Sequence, residues 1–163
     1  MTSPNIEIDI TLHDKRWNNA INDIDAIIHN IISTALSDRL NGFETTEISI
    51  VLADDAFIQE LNKTYRKKDT PTNVLSFPMT EPKEIKTPDA PFCALGDIII
   101  SYDTISREAE EQKKNMTAHF THMLVHGCLH LLHYGHQDEN EAEIMEKLEI
   151  EILSQLNIKN PYE

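Results

Sequence analysis

The sequence predicts an α+β fold with one small sheet, in a single domain spanning residues 1–163. Segments with the period-2 apolar pattern of strands and segments with the three-and-four spacing of helices occur in the same chain, and their order lacks regular βαβ alternation. The composition, with 40% hydrophobic and 26% charged residues, is that of an ordinary globular domain. A chain of this length buries about two thirds of its unfolded surface, so it needs no disulfide to fold.

Four segments are predicted to be strands. The first, NIEIDIT, alternates Ile6, Ile8 and Ile10 with polar residues, which indicates a half-buried strand. The other three are short, rich in β-branched or large apolar residues, and one of them ends at a proline. The predicted strands cover residues 5–11, 47–53, 73–78 and 95–101.

Five segments are predicted to be helices. Isoleucines at three-and-four spacing predict one long amphipathic helix, which Gly42 is placed to end. Asp54 is placed to cap the second helix, and Asp103 or Thr104 the third. Three prolines within residues 80–93 predict a mobile loop there. The predicted helices cover residues 17–40, a segment from Asp54 through Leu61, and residues 103–112, 117–132 and 138–157.

The charge is strongly acidic but uneven. Fourteen basic against 28 acidic side chains give a formal net charge of −14, which disfavours a general nucleic-acid binder. LNKTYRKK at 61–68 nevertheless carries four basic residues and no acidic one, whereas residues 138–151 carry seven acidic residues and one lysine. In the last helix we expect the acidic side chains to face solvent and an apolar stripe to pack on the core. That stripe consists of Ile144, Leu148, Ile152 and Leu156.

The sequence predicts a cytoplasmic protein without a membrane segment. The N-terminal MTSPNIEIDI lacks the basic and apolar regions of a signal peptide, and no apolar run approaches the roughly 18 residues of a membrane span. Cys93 and Cys128 fit neither a disulfide framework nor a Cys-x-x-Cys site, so a reducing compartment is expected.

Four of the eight histidines fall within HGCLHLLHYGH at 126–136. On the predicted helix, His119, His122, His126 and His130 form one stripe, which is also the pattern of a packing face. His126 and His130, at i and i+4, are close enough for both imidazoles to reach one ion. Gly135 lets the chain turn back so that His136 can supply a third nitrogen. The resulting H-x3-H-x5-H spacing resembles the ligand motif of the metzincin proteases.

Three neutral histidines with one open position are typical of a catalytic zinc site. Such an ion lowers the pKa of bound water, so hydrolysis is the expected class of reaction. Ni²⁺ or another late transition ion is an alternative for the same nitrogens. Gly127 stands where a metalloprotease places its glutamate base, which disfavours peptidase activity. A glycine inside this helix indicates either a close approach of another group or tight helix packing.

The histidine motif, LNKTYRKKDTPTNVLSFP at 61–78, LGDIIIS at 95–101 and the acidic final helix together resemble the YbeY family over about residues 47–156. This is a family of bacterial rRNA maturation factors described as single-strand-specific, metal-dependent endoribonucleases. The resemblance implies a zincin-like domain with a small mixed four-stranded sheet flanked by helices. It also implies rRNA processing at the 16S 3′ end, ribosome quality control, and the small ribosomal subunit with its proteins as partners.

Position by position, the resemblance implies that His126, His130 and His136 hold one Zn²⁺ and that Arg66 is the functional arginine of the catalytic cleft. Lys63, Lys67 and Lys68 are candidates for steering single-stranded RNA against the repulsion of the acidic body. His122, one turn before His126, is either a proton shuttle or a packed residue behind the metal ligands.

Three positions depart from the usual family pattern. The family reads HGxLHLLGYDH, with glycine where His133 stands and aspartate where Gly135 stands. A glycine there would end the helix in a left-handed conformation, so His133 must tolerate that conformation or the turn must shift to Gly135. Losing the aspartate removes an acceptor that could orient a metal ligand. Asn73 replaces a common aspartate and can still bond neighbouring backbone or a ligand.

Two other functions remain alternatives. One is a non-catalytic ribosome-assembly factor in which the metal only holds the last two helices together. The other is a hydrolase that acts on an amide or a small molecule.

Overall fold

The computed structural model describes residues 5–163 and shows a mixed four-stranded sheet with seven helices. Residues 1–4, on which part of the signal-peptide expectation rests, lie outside the described residues. The strands are β1 (Asn5–Leu12), β2 (Thr45–Ala53), β3 (Val74–Pro78) and β4 (Phe92–Ser101). The helices are α1 (Arg16–Ala20), α2 (Ile24–Leu36), α3 (Asp55–Arg66), α4 (Pro82–Lys86), α5 (Tyr102–Glu111), α6 (Met116–Leu131) and α7 (Glu139–Gln155). The predicted α+β class is confirmed.

The sheet has the strand order β1-β2-β4-β3. β1 pairs parallel with β2 and β2 parallel with β4, whereas β3 is an antiparallel edge strand on β4. The alternation along β4 sends Ile98 and Ile100 to one face and Ile99 to the other. The sheet therefore separates a large core from a small one.

Helix α6 is the centre of the large core. It contacts β3 and β4 on one side and α2, α5 and α7 on the others. Phe120, Leu124, Val125 and Leu129 are fully buried in it. The small core lies under α3, where Ile58 meets Ala53, Leu75 and Ile99. The histidine-bearing helix is thus enclosed by the fold, and α3 brings the basic segment to the opposite face of the sheet.

Most predicted elements are confirmed within two or three residues, as is the predicted cap of α3. The Asp54 side chain accepts the Phe57 N–H at 2.9 Å at the start of α3. The Asn115 side chain accepts the Thr117 N–H at 2.8 Å at the start of α6. The expected cap of α5 is wrong, because that helix begins after Ser101 without a side-chain cap bond.

The prediction of one helix over 17–40 is wrong. The chain breaks between α1 and α2, where Asp23 adopts a left-handed conformation with φ 53°. Aspartate tolerates this conformation better than most residues. The helix also ends at Leu36 rather than near Gly42. The apolar spacing correctly identified the buried side of the segment. It could not show the break, because a left-handed conformation at one residue leaves the apolar spacing almost unchanged.

The segment 80–93 is not simply the predicted loop. It contains α4, whose first turn is closed by a hydrogen bond from the Glu81 N–H to the Glu84 carboxylate at 3.4 Å, and β4 begins at Phe92. The Thr80 hydroxyl donates to the Ala94 carbonyl at 2.5 Å and fixes the start of the segment to β4.

Over the part of the chain that the structure describes, none of the helices has the length and apolar character that crossing a bilayer requires.

Candidate metal centre

His126 and His130 lie one turn apart near the end of α6, with ring centroids 4.5 Å apart. The Nδ1 atom of His126 donates to Oε1 of Glu149, and the Nδ1 atom of His130 donates to the Tyr134 carbonyl at 3.0 Å. These two bonds turn the Nε2 atoms toward each other at 2.9 Å. The helix therefore presents two imidazole nitrogens at one point.

His136 joins this pair from the turn that follows α6. Its ring centroid lies 5.9 Å from that of His126 and 5.2 Å from that of His130. The turn closes with a bond from the His133 N–H to the His130 carbonyl and one from the Tyr134 N–H to the Leu129 carbonyl, the pattern of a Schellman motif. One ligand nitrogen from each of the three histidines lies within 4.8 Å of the others, so the group could hold a metal ion.

The protonation of the two helical histidines supports this fit. A carboxylate and a carbonyl can only accept, so both rings carry their hydrogen on Nδ1. In the neutral rings both Nε2 lone pairs then point at one place, 2.9 Å apart, where a metal ion or a shared proton can join them. Burial, with added repulsion from His126 and His136, lowers the pKa of His130 to about 4, so this ring is a neutral donor at pH 7.

Glu149 is the acceptor behind His126, and the sequence reasoning missed it. Glu149 is 0% exposed, although it belongs to α7, the helix whose acidic side chains were expected to face solvent. Burial by itself raises its pKa, but hydrogen bonds from His122, His126 and Tyr162 outweigh this effect and lower the pKa to about 2. Glu149 is therefore a carboxylate acceptor over the physiological range.

A signal for Glu149 exists in the sequence. It occupies the same helical face as the buried Met145, Ile152 and Leu153, so its position belongs to the apolar stripe at three-and-four spacing. The predicted stripe was displaced by about one position, because Ile144 is 46% exposed whereas Met145 is buried. An acidic residue on the core face of a helix indicates a buried partner.

The other two histidines of the stripe lie outside the group. His119 Nε2 lies 2.9 Å from Oε1 of Glu108, and His122 Nε2 lies 3.4 Å from Oε2 of Glu149. His122 is buried and its ring also packs against the ring of Tyr162 at 5.7 Å. Of the two roles considered for His122, the geometry favours the packed residue behind the metal ligands.

The three histidines line one wall of a cavity of about 420 Å³. Arg66 lines the same cavity from the last turn of α3, and part of β3 completes it. The lysines Lys63, Lys67 and Lys68 are exposed and do not line the cavity. The structure thus brings Arg66 together with the histidines, while the lysines surround the end of α3. The residues of the cavity are Arg66, Thr72, Asn73, Val74, Ser76, Pro78, His126, His130 and His136.

Gly127 is explained by the approach of the sheet to α6. A Cβ atom at this position would lie 3.1 Å from Cγ2 of Ile98 and 3.3 Å from Oγ of Ser76. The Ser76 hydroxyl donates to the Gly127 carbonyl at 3.2 Å. Two explanations were open for this glycine, tight helix packing and the close approach of another group. The contact with β3 and β4 satisfies both.

The departures from the family pattern are accommodated locally. His133 itself adopts the left-handed conformation with φ 70°, so the turn does not shift to Gly135. Its Nε2 donates to the Thr80 carbonyl at 2.6 Å. Asn73 accepts the Val74 N–H at 2.7 Å and donates to the Glu108 carboxylate at 3.1 Å, so its amide bonds neighbouring backbone as expected.

Comparisons with known proteins agree with this geometry. A family described as endoribonuclease YbeY matches residues 9–157. An endoribonuclease YbeY of Ehrlichia chaffeensis is 43% identical over 156 residues, covering 95% of this chain and 96% of that protein. One of Bartonella quintana is 42% identical over 161 residues, covering 96% and 97%.

A solution structure of a protein from Thermotoga maritima has a similar fold, with a TM-score of 0.54 and 22% sequence identity. The similarity covers 92% of this chain and 91% of that chain. The family match spans residues 9–157, a range that contains the three histidines, Arg66 and Gly127. On these grounds the chain belongs to the endoribonuclease YbeY family.

Proposed function

We propose that this chain is a zinc-dependent endoribonuclease specific for single-stranded RNA. The observation that carries the proposal is the pair of facing Nε2 atoms of His126 and His130, joined by His136, in the cavity that also contains Arg66. The relatives are named endoribonucleases, and membership of their family is the support for RNA as substrate.

The proposed metal ligands are His126, His130 and His136. Three neutral imidazoles with an open fourth position suit Zn²⁺, with Ni²⁺ as the alternative. A zinc ion held there would supply Lewis acidity and activate water for attack on phosphorus. The chain itself contributes the orientation of the ligands, because Glu149 and the Tyr134 carbonyl hold the rings of His126 and His130.

Arg66 is the proposed catalytic residue. Its guanidinium is permanently charged and can donate two parallel hydrogen bonds to the non-bridging oxygens of a phosphodiester. Among the described residues that line the cavity there is no carboxylate, so the phosphate meets no fixed negative charge on its walls. Lys63, Lys67 and Lys68, on the outer side of the same turn, are the proposed residues that attract the RNA backbone.

The proposed setting is rRNA processing, including the 3′ end of 16S rRNA, and ribosome quality control in the cytoplasm. The free thiols of Cys93 and Cys128 fit a reducing compartment. The small ribosomal subunit and its proteins are the proposed partners, since basic proteins complement the exposed acidic residues of α7. The whole chain, residues 1–163, is the proposed single domain.

The proposal is tested with purified, zinc-loaded protein and one RNA oligonucleotide offered single-stranded or as a duplex. We expect cleavage of the single strand and not of the duplex. Arg66→Ala should lower the cleavage rate by about a hundredfold to a thousandfold without loss of zinc. Arg107→Ala is the matched control, because Arg107 pairs with Asp55 and does not line the cavity.

Metal analysis of the same preparations separates the alternatives. We expect one zinc per wild-type chain and loss of zinc and cleavage in His126→Ala, His130→Ala and His136→Ala. Stoichiometric zinc without RNA cleavage would instead favour an assembly factor with a structural metal. Turnover of an amide substrate that survives Arg66→Ala but not His130→Ala would favour a different hydrolase.

A further inference from the structure

The chain beyond α7 folds back toward the metal centre. Asn157 adopts a left-handed conformation with φ 62°, and the Ile158 N–H bonds to the Leu153 carbonyl at 2.8 Å, which reverses the chain after the helix. The Asn160 side chain accepts the Tyr162 N–H at 2.8 Å and shapes the last turn. These bonds place the Tyr162 ring beside α6, against His122.

Tyr162 reaches the buried carboxylate that holds His126. Its hydroxyl donates to Oε2 of Glu149, while His126 donates to Oε1 of the same group. The second donor to Oε2 is His122 Nε2, at the longer distance of 3.4 Å. Within residues 5–163, no Lys or Arg lies within ion-pair distance of Glu149. The carboxylate is therefore oriented by two histidines and one tyrosine.

The tyrosine bond has a direct effect on the imidazole. With Oε2 held by Tyr162 and His122, Oε1 remains in line with His126 Nδ1 and fixes the hydrogen of that ring on Nδ1. Without the hydroxyl, Oε2 keeps only the long bond from His122, and the carboxylate can rotate away from His126. The ring would then also populate the form with its hydrogen on Nε2, which leaves that nitrogen without the lone pair that a metal beside His130 and His136 needs.

We propose that Tyr162 is a positioning residue of the metal centre, which acts through Glu149 to fix the orientation and the protonated nitrogen of His126. The inference rests on the proposed function only in taking His126 as a metal ligand. This role makes the segment 158–163 a structural part of the site, although Tyr162 itself is 48% exposed.

The first test is the zinc dissociation constant, measured by competition with a chelating indicator. Glu149→Gln should weaken zinc binding by about tenfold to a hundredfold, and Tyr162→Phe by about tenfold. Tyr102→Phe and Glu151→Gln are the matched controls and should retain wild-type affinity. Tyr102 packs its ring on Trp17, and Glu151 is an exposed residue of the same helix as Glu149.

A double variant separates action through Glu149 from a general loss of structure. If Tyr162 acts through the carboxylate, adding Tyr162→Phe to Glu149→Gln should not weaken zinc binding further. The ring ¹⁵N shifts of His126 in the metal-free protein should report hydrogen on Nδ1 in the wild type and a mixture of the two forms in Tyr162→Phe. Circular dichroism of each variant checks that the fold is retained.

The inference is overturned if Tyr162→Phe binds zinc as tightly as Tyr102→Phe, or if the effects of the two substitutions add. It is also overturned if the His126 shifts do not change. These outcomes leave the proposed function intact as long as the wild type binds zinc and His130→Ala does not. Failure of the wild type to bind zinc would instead remove the proposed function.

Discussion

At the scale of single residues, His133 combines an unfavourable backbone with a favourable side-chain contact. A non-glycine residue in the left-handed region costs about 1–2 kcal/mol, and His133 has φ 70°. Its hydrogen bond to the Thr80 carbonyl, worth about 0.5–1.5 kcal/mol, offsets much of that cost. The side chain thereby connects the end of α6 to the start of the 80–93 segment.

We expect substitutions at this position to separate the two effects. His133→Ala keeps the backbone strain and loses the bond, so the free energy of unfolding should fall by about 1 kcal/mol. His133→Gly loses the bond but also the strain, so it should be about 1 kcal/mol more stable than His133→Ala. Urea unfolding of the metal-free proteins measures both differences.

His29→Ala, at an exposed position of α2, is the control and should stay within about 0.5 kcal/mol of wild type. Equal stability of the alanine and glycine variants would show that the left-handed conformation at His133 carries no cost.

The sequence was more informative about the candidate ligands than about the residues that hold them. In a helix, residues at i and i+4 lie close together, so the proximity of His126 and His130 could be predicted from the sequence. The acceptor of His126 comes from Glu149, 23 residues further along the chain. Composition favours solvent for an acidic residue in an acidic helix. Only its alignment with Met145, Ile152 and Leu153 indicates burial, which the packing of α7 on α6 shows.

At the scale of elements, a polar network joins the residue before β3 to α5 and α6. The Glu108 carboxylate accepts from Asn73 at 3.1 Å and faces His119 Nε2 at 2.9 Å. Burial lowers the pKa of His119, and the attraction of Glu108 opposes that shift only in part. His119 is therefore neutral in the folded protein at pH values where an unfolded histidine takes up a proton.

This network makes the stability of the metal-free protein depend on pH. The folded pKa of His119 is lower than its ordinary 6.5, so its contribution is present above pH 6.5 and is lost as the pH falls below that value. Below pH 6.5, the unfolding free energy of His119→Gln should fall less steeply than that of wild type, by up to about 1.4 kcal/mol per pH unit.

Chemical unfolding of both proteins between pH 7 and pH 5 measures the difference in slope, and the glutamine retains a donor for Glu108. Parallel curves for the two proteins would mean that His119 takes up a proton as readily in the fold as in the unfolded chain. The titratable groups that face His119 are Glu108, His122 and Lys114.

Most elements could be predicted from apolar periodicity. The break between α1 and α2 and the short helix α4 could not. The break at Asp23 and the helix α4 both depend on local backbone bonds that leave the apolar pattern unchanged. The loop predicted from the prolines of 80–93 holds only for the part around Pro88 and Pro91, because Pro82 lies in the first turn of α4, where proline is compatible with a helix. The strand order could not be predicted from the sequence either, because it depends on the pairing of β2 with β4, which only the structure shows.

At the scale of the whole molecule, the acidic body and the basic end of α3 act in opposite directions on RNA. The net charge of −14 repels phosphates at long range. Lys63 and Arg66 lie in the last turn of α3, and Lys67 and Lys68 follow it directly. RNA binding through these residues should therefore depend strongly on the salt concentration.

We expect each of the three lysines that contacts a phosphate to contribute about 0.7 to the slope of log affinity against log salt for single-stranded RNA. The combined substitution of Lys63, Lys67 and Lys68 by glutamine should lower that slope by up to about 2. Glutamine is chosen because Lys67 has φ 58°, and another long side chain leaves the strain there unchanged.

Fluorescence anisotropy of a labelled RNA at several salt concentrations provides the measurement. Lys147→Gln, on an exposed position of α7, is the control and should leave the slope unchanged. A triple variant with the wild-type slope would remove these lysines from the RNA-binding surface.

The enclosure of α6 has a consequence for how a flexible polymer is accommodated. Two of the candidate ligands belong to a helix that is packed against the sheet and three other helices, so they can shift only if the interior shifts with them. The opposite wall ends in an exposed turn carrying Arg66. We therefore expect conformational adjustment on binding to occur in the end of α3 and in the polynucleotide, while the histidine side of the cavity stays rigid.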